Sequence, residues 1–147
     1  MKTVFVLSAL IVALLGDAGA QASKALSVTP ERIQRVEILY FPERVELRVA
    51  LSPERLEQGY CYKLEIRDVQ ESAEWKRLLS VLRETSVEPS QRSHDYRTAV
   101  LLFDQDGQRV SSVYFDQFGG GTINGDSGTI KGGLYRWAKS MLRGVAE

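Results

Sequence analysis

Apolar and polar residues alternate in the first half of the chain in a way that predicts three strands. Residues 35–41 form a β-branched and aromatic run that ends before Pro42. Residues 44–51 alternate strictly, and their apolar positions are Val45, Leu47, Val49 and Leu51. Residues 60–67 alternate in the same way, after a short helical turn that begins at Ser52-Pro53 and ends near Gly59. We expect these strands to form an antiparallel meander.

Two later stretches have the apolar spacing of amphipathic helices. Asp68 and Glu71 have the spacing of a capping box, and the stripe that follows is Trp75, Leu78, Leu79 and Leu82. The second stripe is Leu134, Trp137, Ala138, Met141, Leu142 and Val145, and it ends near Gly144.

The region between the helices contains a polar connection and a hairpin. Residues 86–97 are interpreted as the connection. Residues 98–103 are apolar on both faces, which is typical of a strand covered on both sides, and residues 109–116 are joined to them by Asp106-Gly107. Residues 118–133 form a glycine-rich loop with room for one short hairpin at Asn124-Gly125.

This order predicts an α+β fold. We expect an antiparallel sheet of about five or six strands, ordered β-β-β-α-β-β-loop-α, with two amphipathic helices. Residues 30–147 are assigned to this single domain, and residues 21–29, which lack periodicity, to a flexible leader.

The N-terminus predicts a secretory signal peptide over residues 1–20. Lys2 is followed by an apolar run from Val4 to Leu15, which is shorter than the roughly 20 residues of a membrane-spanning helix. Small residues allow cleavage after Ala20 or Ala22. The expected product is an exported protein with no membrane anchor after cleavage.

The composition of the chain indicates its cellular compartment and excludes one class of binding partner. The chain has 19 basic and 19 acidic residues, so its neutral charge argues against a nucleic-acid partner. Cys61 is the only cysteine, and no glycosylation sequon follows the single asparagine, Asn124. Both features favour a bacterial periplasmic or secreted protein. Cys61 falls on the polar face of its strand, where it could form an intermolecular disulfide, or else a helix covers it.

The residues that could carry chemistry do not form a recognisable catalytic or metal site. Gly125-Asp126-Ser127-Gly128 resembles the nucleophile motif of chymotrypsin-like serine proteases, but Thr129-Ile130 replaces the usual Gly-Pro, and the chain is too short for the two barrels of that family. We interpret the motif as a turn, and His94 as an exposed histidine in the polar connection. No cofactor or metal is expected.

A recognition role is the leading hypothesis. Residues 104–126 carry four aspartates against one arginine, which favours a basic protein partner, while residues 131–147 are mainly basic. Phe118 and Ile123 flank a run of glycines, where they either project as anchors or fold back into the core. The candidate binding residues are Asp116, Phe118, Ile123, Asn124 and Asp126.

We therefore expect a non-enzymatic exported binding protein, such as a periplasmic inhibitor or immunity-type protein that acts on a toxin or a cell-wall hydrolase. One alternative is a small exported hydrolase that uses Asp104, Asp116 or Asp126 with His94. Another is a structural subunit of the cell envelope.

Overall fold

The computed structural model describes residues 22–143. The predicted signal peptide, residues 1–20, lies outside this range, as does Val145 of the second helical stripe. The strands are β1 (Lys24–Ala25), β2 (Arg35–Tyr40), β3 (Tyr62–Ile66), β4 (Ser86–Pro89), β5 (Thr98–Phe103), β6 (Arg109–Phe115), β7 (Gly120–Ile123) and β8 (Asp126–Lys131). The helices are α1 (Pro53–Gly59), α2 (Trp75–Glu84) and α3 (Leu134–Met141), with 3-10 turns at Pro30–Arg32 and Val69–Glu71.

One antiparallel sheet organises the described chain, in the order β1-β4-β8-β7-β6-β5-β2-β3. The predicted α+β class with an antiparallel sheet is confirmed. The predicted strand number is wrong, because the described sheet has eight strands rather than five or six. The described chain also has three α-helices, of which α2 and α3 are the expected amphipathic pair.

The sheet buries both of its faces. On the first face, α2 and α3 pack their apolar stripes over the sheet, with Leu78, Leu82 and Trp137 among the buried residues. The second face carries a smaller cluster under α1, formed by Leu39, Leu56, Tyr96, Ala99, Leu101, Phe103 and Tyr114. Strand β5 is buried along its whole length, which confirms that it is covered on both sides.

Residues 44–51 do not form the predicted strand. They lie outside the sheet, mostly exposed, between β2 and α1. The reason is topological: Tyr40, at the end of β2, already pairs with Tyr62 of β3 and with Thr98 of β5. Both edges of β2 are therefore occupied, so the alternating segment cannot pair with the strand that it follows.

Two strands lie in segments predicted to be irregular. Within the predicted polar connection, β4 pairs with β8, and its Val87 is buried. Within the predicted flexible leader, β1 pairs with the other edge of β4. Both strands are short and carry few apolar residues, so they depend on their neighbours rather than on a local pattern.

The start of the first amphipathic helix also differs from the prediction. Asp68 has a left-handed backbone with φ of 47° and does not cap a helix. Its neighbours form a 3-10 turn, and α2 begins later, at Trp75. The hairpin expected at Asn124-Gly125 is confirmed, and its strands β7 and β8 occupy much of the glycine-rich segment.

The connection from β4 to β5 positions the candidate site. Strands β8, β7 and β6 lie between β4 and β5 in the sheet, so residues 90–97 must pass over three strands. Tyr96 belongs to the apolar cluster of the second face, which shows that the connection crosses that face. This path brings His94 to the start of β7.

Candidate functional site: a braced turn with an exposed aromatic residue

The turn between β6 and β7 is held by the carboxylate of Asp116. Its Oδ1 accepts hydrogen bonds from the backbone N–H groups of Phe118, at 2.7 Å, and Gly120, at 2.8 Å. The backbone N–H of Asp116 also donates to the carbonyl of Gly120 at 2.9 Å. Gly119 adopts a φ of +84°, which favours glycine. The backbone N–H groups of Asp116, Phe118 and Gly120 are thus fixed by local contacts.

His94 supports the same carboxylate from the crossing connection. Its Nδ1 lies 2.7 Å from Oδ2 of Asp116, and only 2% of the His94 side chain and 10% of the Asp116 side chain are exposed. Burial alone would raise the pKa of Asp116. The bonds from His94 and the two backbone N–H groups outweigh this effect, so the pKa lies below its usual value.

The prediction that His94 is exposed is therefore wrong. The histidine is buried because the connection carries it onto the second face of the sheet, against Asp116. Its ring also lies 5.7 Å from the ring of Tyr96. The two residues of the pair are separated by 22 positions, and no local sequence signal predicts their contact.

Gly120 allows this close approach. A Cβ atom at Gly120 would stand 2.5 Å from Cε1 of His94 and 2.6 Å from Oδ2 of Asp116. Both side chains are buried, so a larger residue would force the pair apart. The glycine run therefore serves packing at this position as well as turn formation.

The turn presents Phe118 to solvent. Its side chain is 78% exposed, the highest value among the exposed large apolar residues of the described chain. Ile123, by contrast, is 3% exposed and belongs to the core on the first face. Of the two interpretations left open by the sequence, projection is correct for Phe118 and core packing is correct for Ile123.

The remaining candidate residues lie at the other end of β7. Asn124 has a left-handed backbone, and its Oδ1 accepts hydrogen bonds from the Ser112 backbone N–H at 2.8 Å and the Ser111 hydroxyl at 3.1 Å. Asp126 pairs with Lys24 of β1 at 2.5 Å. The structure therefore brings Asp116 and Phe118 together but does not add Ile123, Asn124 and Asp126 to the same site.

The other exposed apolar side chains lie on segments at the same end of the sheet as Phe118. That end holds the last residue of β2, the first of β3, the last of β6 and the first of β7. Tyr60 and Tyr62 lie at the start of β3, and the segment after β2 adds exposed Val45, Leu47 and Val49. We call these five residues and Phe118 the apolar end.

Arg97 holds part of the apolar end in place. This arginine is buried, and its Nη1 donates to the carbonyl oxygens of Pro42, at 3.1 Å, and Val45, at 2.9 Å. Its Nε donates to Asp95 at 2.8 Å, and Asp95 accepts from the backbone N–H of Leu51 at 2.8 Å. Sequence analysis missed Arg97 because the backbone groups that it holds, the carbonyls of Pro42 and Val45, are distant in sequence.

A second polar cluster closes the face under α1. Both carboxylate oxygens of Glu57 accept from Arg109, at 2.9 and 2.8 Å, and Tyr114 donates its hydroxyl to Glu57. Arg109 lowers the pKa of Glu57, and burial together with the Glu57 bond raises the pKa of Tyr114 well above its usual range. These groups are engaged with one another, and we interpret the cluster as structural.

The acidic region provides fewer free carboxylates than its composition suggests. Asp104 is buried in the β5–β6 turn, where its Oδ1 accepts from the backbone N–H groups of Asp106, at 3.0 Å, and Gln108, at 2.9 Å. Asp116 is buried and Asp126 is ion-paired. Within residues 22–143, no group of three or more potential metal-ligating side chains is found together.

The site has no counterpart from which a role could be transferred. Comparisons with models of protein families, with curated proteins and with solved structures found no match. In the part of the chain that the structure describes, no helix is long and apolar enough to cross a membrane. The function must therefore be argued from the braced turn and the apolar end themselves.

Proposed function

We propose that this protein is a non-enzymatic exported binding protein that recognises a protein partner through Phe118. The observation that carries the proposal is a large aromatic side chain, 78% exposed, at the tip of a turn fixed by buried groups. Burying an exposed phenylalanine stabilises a complex by about 1.5–3 kcal/mol. A side chain this exposed contributes little to folding, whereas a large aromatic residue on a fixed turn suits an interface anchor.

The bracing of the turn supports this proposal on energetic grounds. A flexible loop must lose conformational entropy when it binds, at a cost of about 0.5–1.5 kcal/mol for each immobilised side chain. The hydrogen bonds from Phe118 and Gly120 to Asp116 order the backbone before any partner arrives.

The experiment compares capture by three forms of the exported protein: wild type, Phe118→Ala and Gln117→Ala. Gln117 is an exposed neighbour in the same turn, so its substitution controls for nonspecific effects. The expected result is a protein captured from envelope extract by wild type and Gln117→Ala and lost with Phe118→Ala. With the purified partner, Phe118→Ala should raise the dissociation constant about 30-fold, as for a hot-spot residue. Equal capture by all three forms would refute the proposal.

We further propose that the partner is a toxin or a cell-wall hydrolase, and that binding inhibits it. That the partner is basic stays a prediction, since apolar contact rather than free carboxylates supports the site. The test measures the enzymatic activity of the captured partner with and without the protein. Inhibition by wild type but not by Phe118→Ala supports an inhibitor or immunity-type role, and full activity of the saturated complex would contradict it.

The alternative of a small hydrolase is favoured by one observation. In the buried pair, Asp116 orients one nitrogen of His94, as a carboxylate does for a general base, and the other nitrogen, Nε2, has no hydrogen-bond partner among the described residues. Nε2 is buried, however, and Asp104 and Asp126 are engaged elsewhere. Hydrolysis of ester or glycoside substrates that is lost in His94→Gln and kept in Phe118→Ala would favour this alternative.

The alternative of an envelope subunit depends on Cys61. Cys61 is exposed, so no helix covers it, and its pairing with a second chain stays a prediction. A covalent dimer of the exported protein on non-reducing gels, absent in Cys61→Ser, would support an assembly role.

A further inference from the structure

Residues 44–50 have the sequence of a strand but no strand partner in their own chain. Val45, Leu47 and Val49 are 39%, 37% and 59% exposed, although they alternate strictly with polar or small residues. A segment with a regular apolar face gains stability only when that face and its backbone are paired. In its own sheet, both edges of β2 are already paired, with β3 and with β5.

The backbone of this segment is anchored at its ends and free between them. Arg97 binds the carbonyl of Val45, and Leu51 is fixed through Asp95 and the backbone N–H of Tyr96. Within residues 22–143, no hydrogen bond involves the backbone of residues 46–50. The segment is bent at residues 45, 48 and 49, so it must straighten before these unpaired groups can bind a strand from outside the chain.

The charges of the segment are complementary to those of an identical segment. In an antiparallel pair centred on Leu47, Glu46 lies opposite Arg48 of the second copy, and Arg48 lies opposite Glu46 of the second copy. None of the ion pairs found within residues 22–143 involves either side chain. On the apolar face, Val45 lies opposite Val49, and Leu47 opposite its own equivalent.

Other strand registers place like charges opposite each other or lose the pairing of opposite charges. An antiparallel pair centred on Glu46 would place two glutamates together and would set Arg44 against Arg48. A pair centred on Arg48 would place two arginines together, and a parallel pair in register would do the same at every charged position. A shift by one residue would mix the apolar and polar faces. A pair centred on Val45 would set Leu47 against Glu43, and a pair centred on Val49 would set Arg48 against Ala50. The register centred on Leu47 therefore satisfies both faces best.

We propose that two copies of this chain associate through residues 44–50, which form a two-stranded antiparallel ribbon around a two-fold axis at Leu47. The contact is isologous, because each copy presents the same residues to the other. The ribbon is short, so the dimer forms reversibly and depends on protein concentration. This inference does not depend on the proposed partner of Phe118.

The first test exchanges the charges of the ribbon and measures dimerisation of the exported protein by sedimentation. Glu46→Arg places an arginine opposite Arg48 of the second copy, and Arg48→Glu places a glutamate opposite Glu46. Each change replaces two attractive cross-strand pairs with two repulsive ones and should raise the dissociation constant about tenfold. The double variant Glu46→Arg/Arg48→Glu restores opposite charges and should dimerise like wild type.

Three results would overturn the proposal: a wild-type protein that stays monomeric, single variants that dimerise as well as wild type, or a double variant no better than the singles. The last result would also be expected if residues 44–50 paired with the free edge of β3 in a second copy. Circular dichroism of each variant checks folding, and the exposed positions of Glu46 and Arg48 make misfolding an unexpected outcome.

The second test locates the two-fold axis. In a Cys61→Ser background, Leu47→Cys places one thiol from each copy on the axis, where a short bismaleimide can join them. Gln70→Cys, an exposed position on the turn before α2, is the matched control. Efficient cross-linking through position 47 and little through position 70 supports the ribbon. Equal yields at the two positions would contradict it.

Discussion

Replacing Asp116 by alanine tests the central claim that the candidate site is braced by a buried carboxylate. The substitution removes the acceptor of three hydrogen bonds, which come from His94 and from the backbone N–H groups of Phe118 and Gly120. It introduces no bulk and leaves the strand pairing of β6 with β7 untouched. Any loss of stability therefore reports on these bonds.

The expected cost follows from the exposure of each donor. Hydrogen bonds to charged groups contribute about 1.5–3 kcal/mol each, and a buried donor left without a partner adds its own desolvation penalty. His94 is buried, while Phe118 is exposed and its N–H can bind water instead. Counting the bonds to His94 and Gly120 in full, we expect Asp116→Ala to lower the free energy of unfolding by about 3–6 kcal/mol.

Urea denaturation monitored by circular dichroism measures this change. Asp106→Ala is the matched control, because Asp106 is an exposed aspartate. A double-mutant cycle with His94→Ala isolates the coupling of the pair, which we expect to be about 1.5–3 kcal/mol. A loss below about 1 kcal/mol for Asp116→Ala, or coupling near zero in the cycle, would show that the carboxylate does not hold the turn.

Four further changes test neighbouring parts of the description. Gly120→Ala should lower the free energy of unfolding by at least about 2 kcal/mol, since its methyl would stand 2.5 Å from the buried imidazole, whereas Gly59→Ala, with open space, should change it little. The pKa of Asp116 in the folded protein lies below its usual value of 3.8. The ionised carboxylate therefore stabilises the fold above that pH, and this contribution is lost as the pH falls through the folded pKa. Asp116→Asn should make the urea midpoint less dependent on pH in this acid range. Burial and a bonded glutamate raise the pKa of both Tyr114 and Tyr135, so in an absorbance titration Tyr114→Phe should reduce the latest phase without abolishing it. Phe118→Ala should keep its thermal midpoint, because a side chain 78% exposed contributes little to folding.

The sequence predicts well those elements whose pattern of apolar residues matches the faces that the fold buries. Strand β5 is apolar on both faces and is buried on both, and the stripes of α2 and α3 cover the first face of the sheet. The Asp106-Gly107 turn joins β5 to β6 as expected, with Gly107 at a φ of 75°. In each case the local preference is also the globally stable choice.

The parts that sequence analysis missed depend on distant groups. Residues 44–51 have a correct strand pattern, yet a strand exists only where a neighbour offers an edge, and β2 offers none. Strand β4 has one buried apolar residue, Val87, so its local signal is weak. The pairing of His94 with Asp116 arises from the path of a connection across the sheet, which local periodicity does not encode.

The connection from β4 to β5 constrains the order in which the strands fold. Residues 90–97 pass over strands that follow them in the chain, so His94 cannot reach its final position until β6 and β7 have formed. Strand β4, likewise, waits for β8, with which Val87 pairs through Ile130. Such non-local closure slows folding and places these contacts late on the pathway. Loss of the His94–Asp116 pair should therefore accelerate unfolding more than it slows refolding.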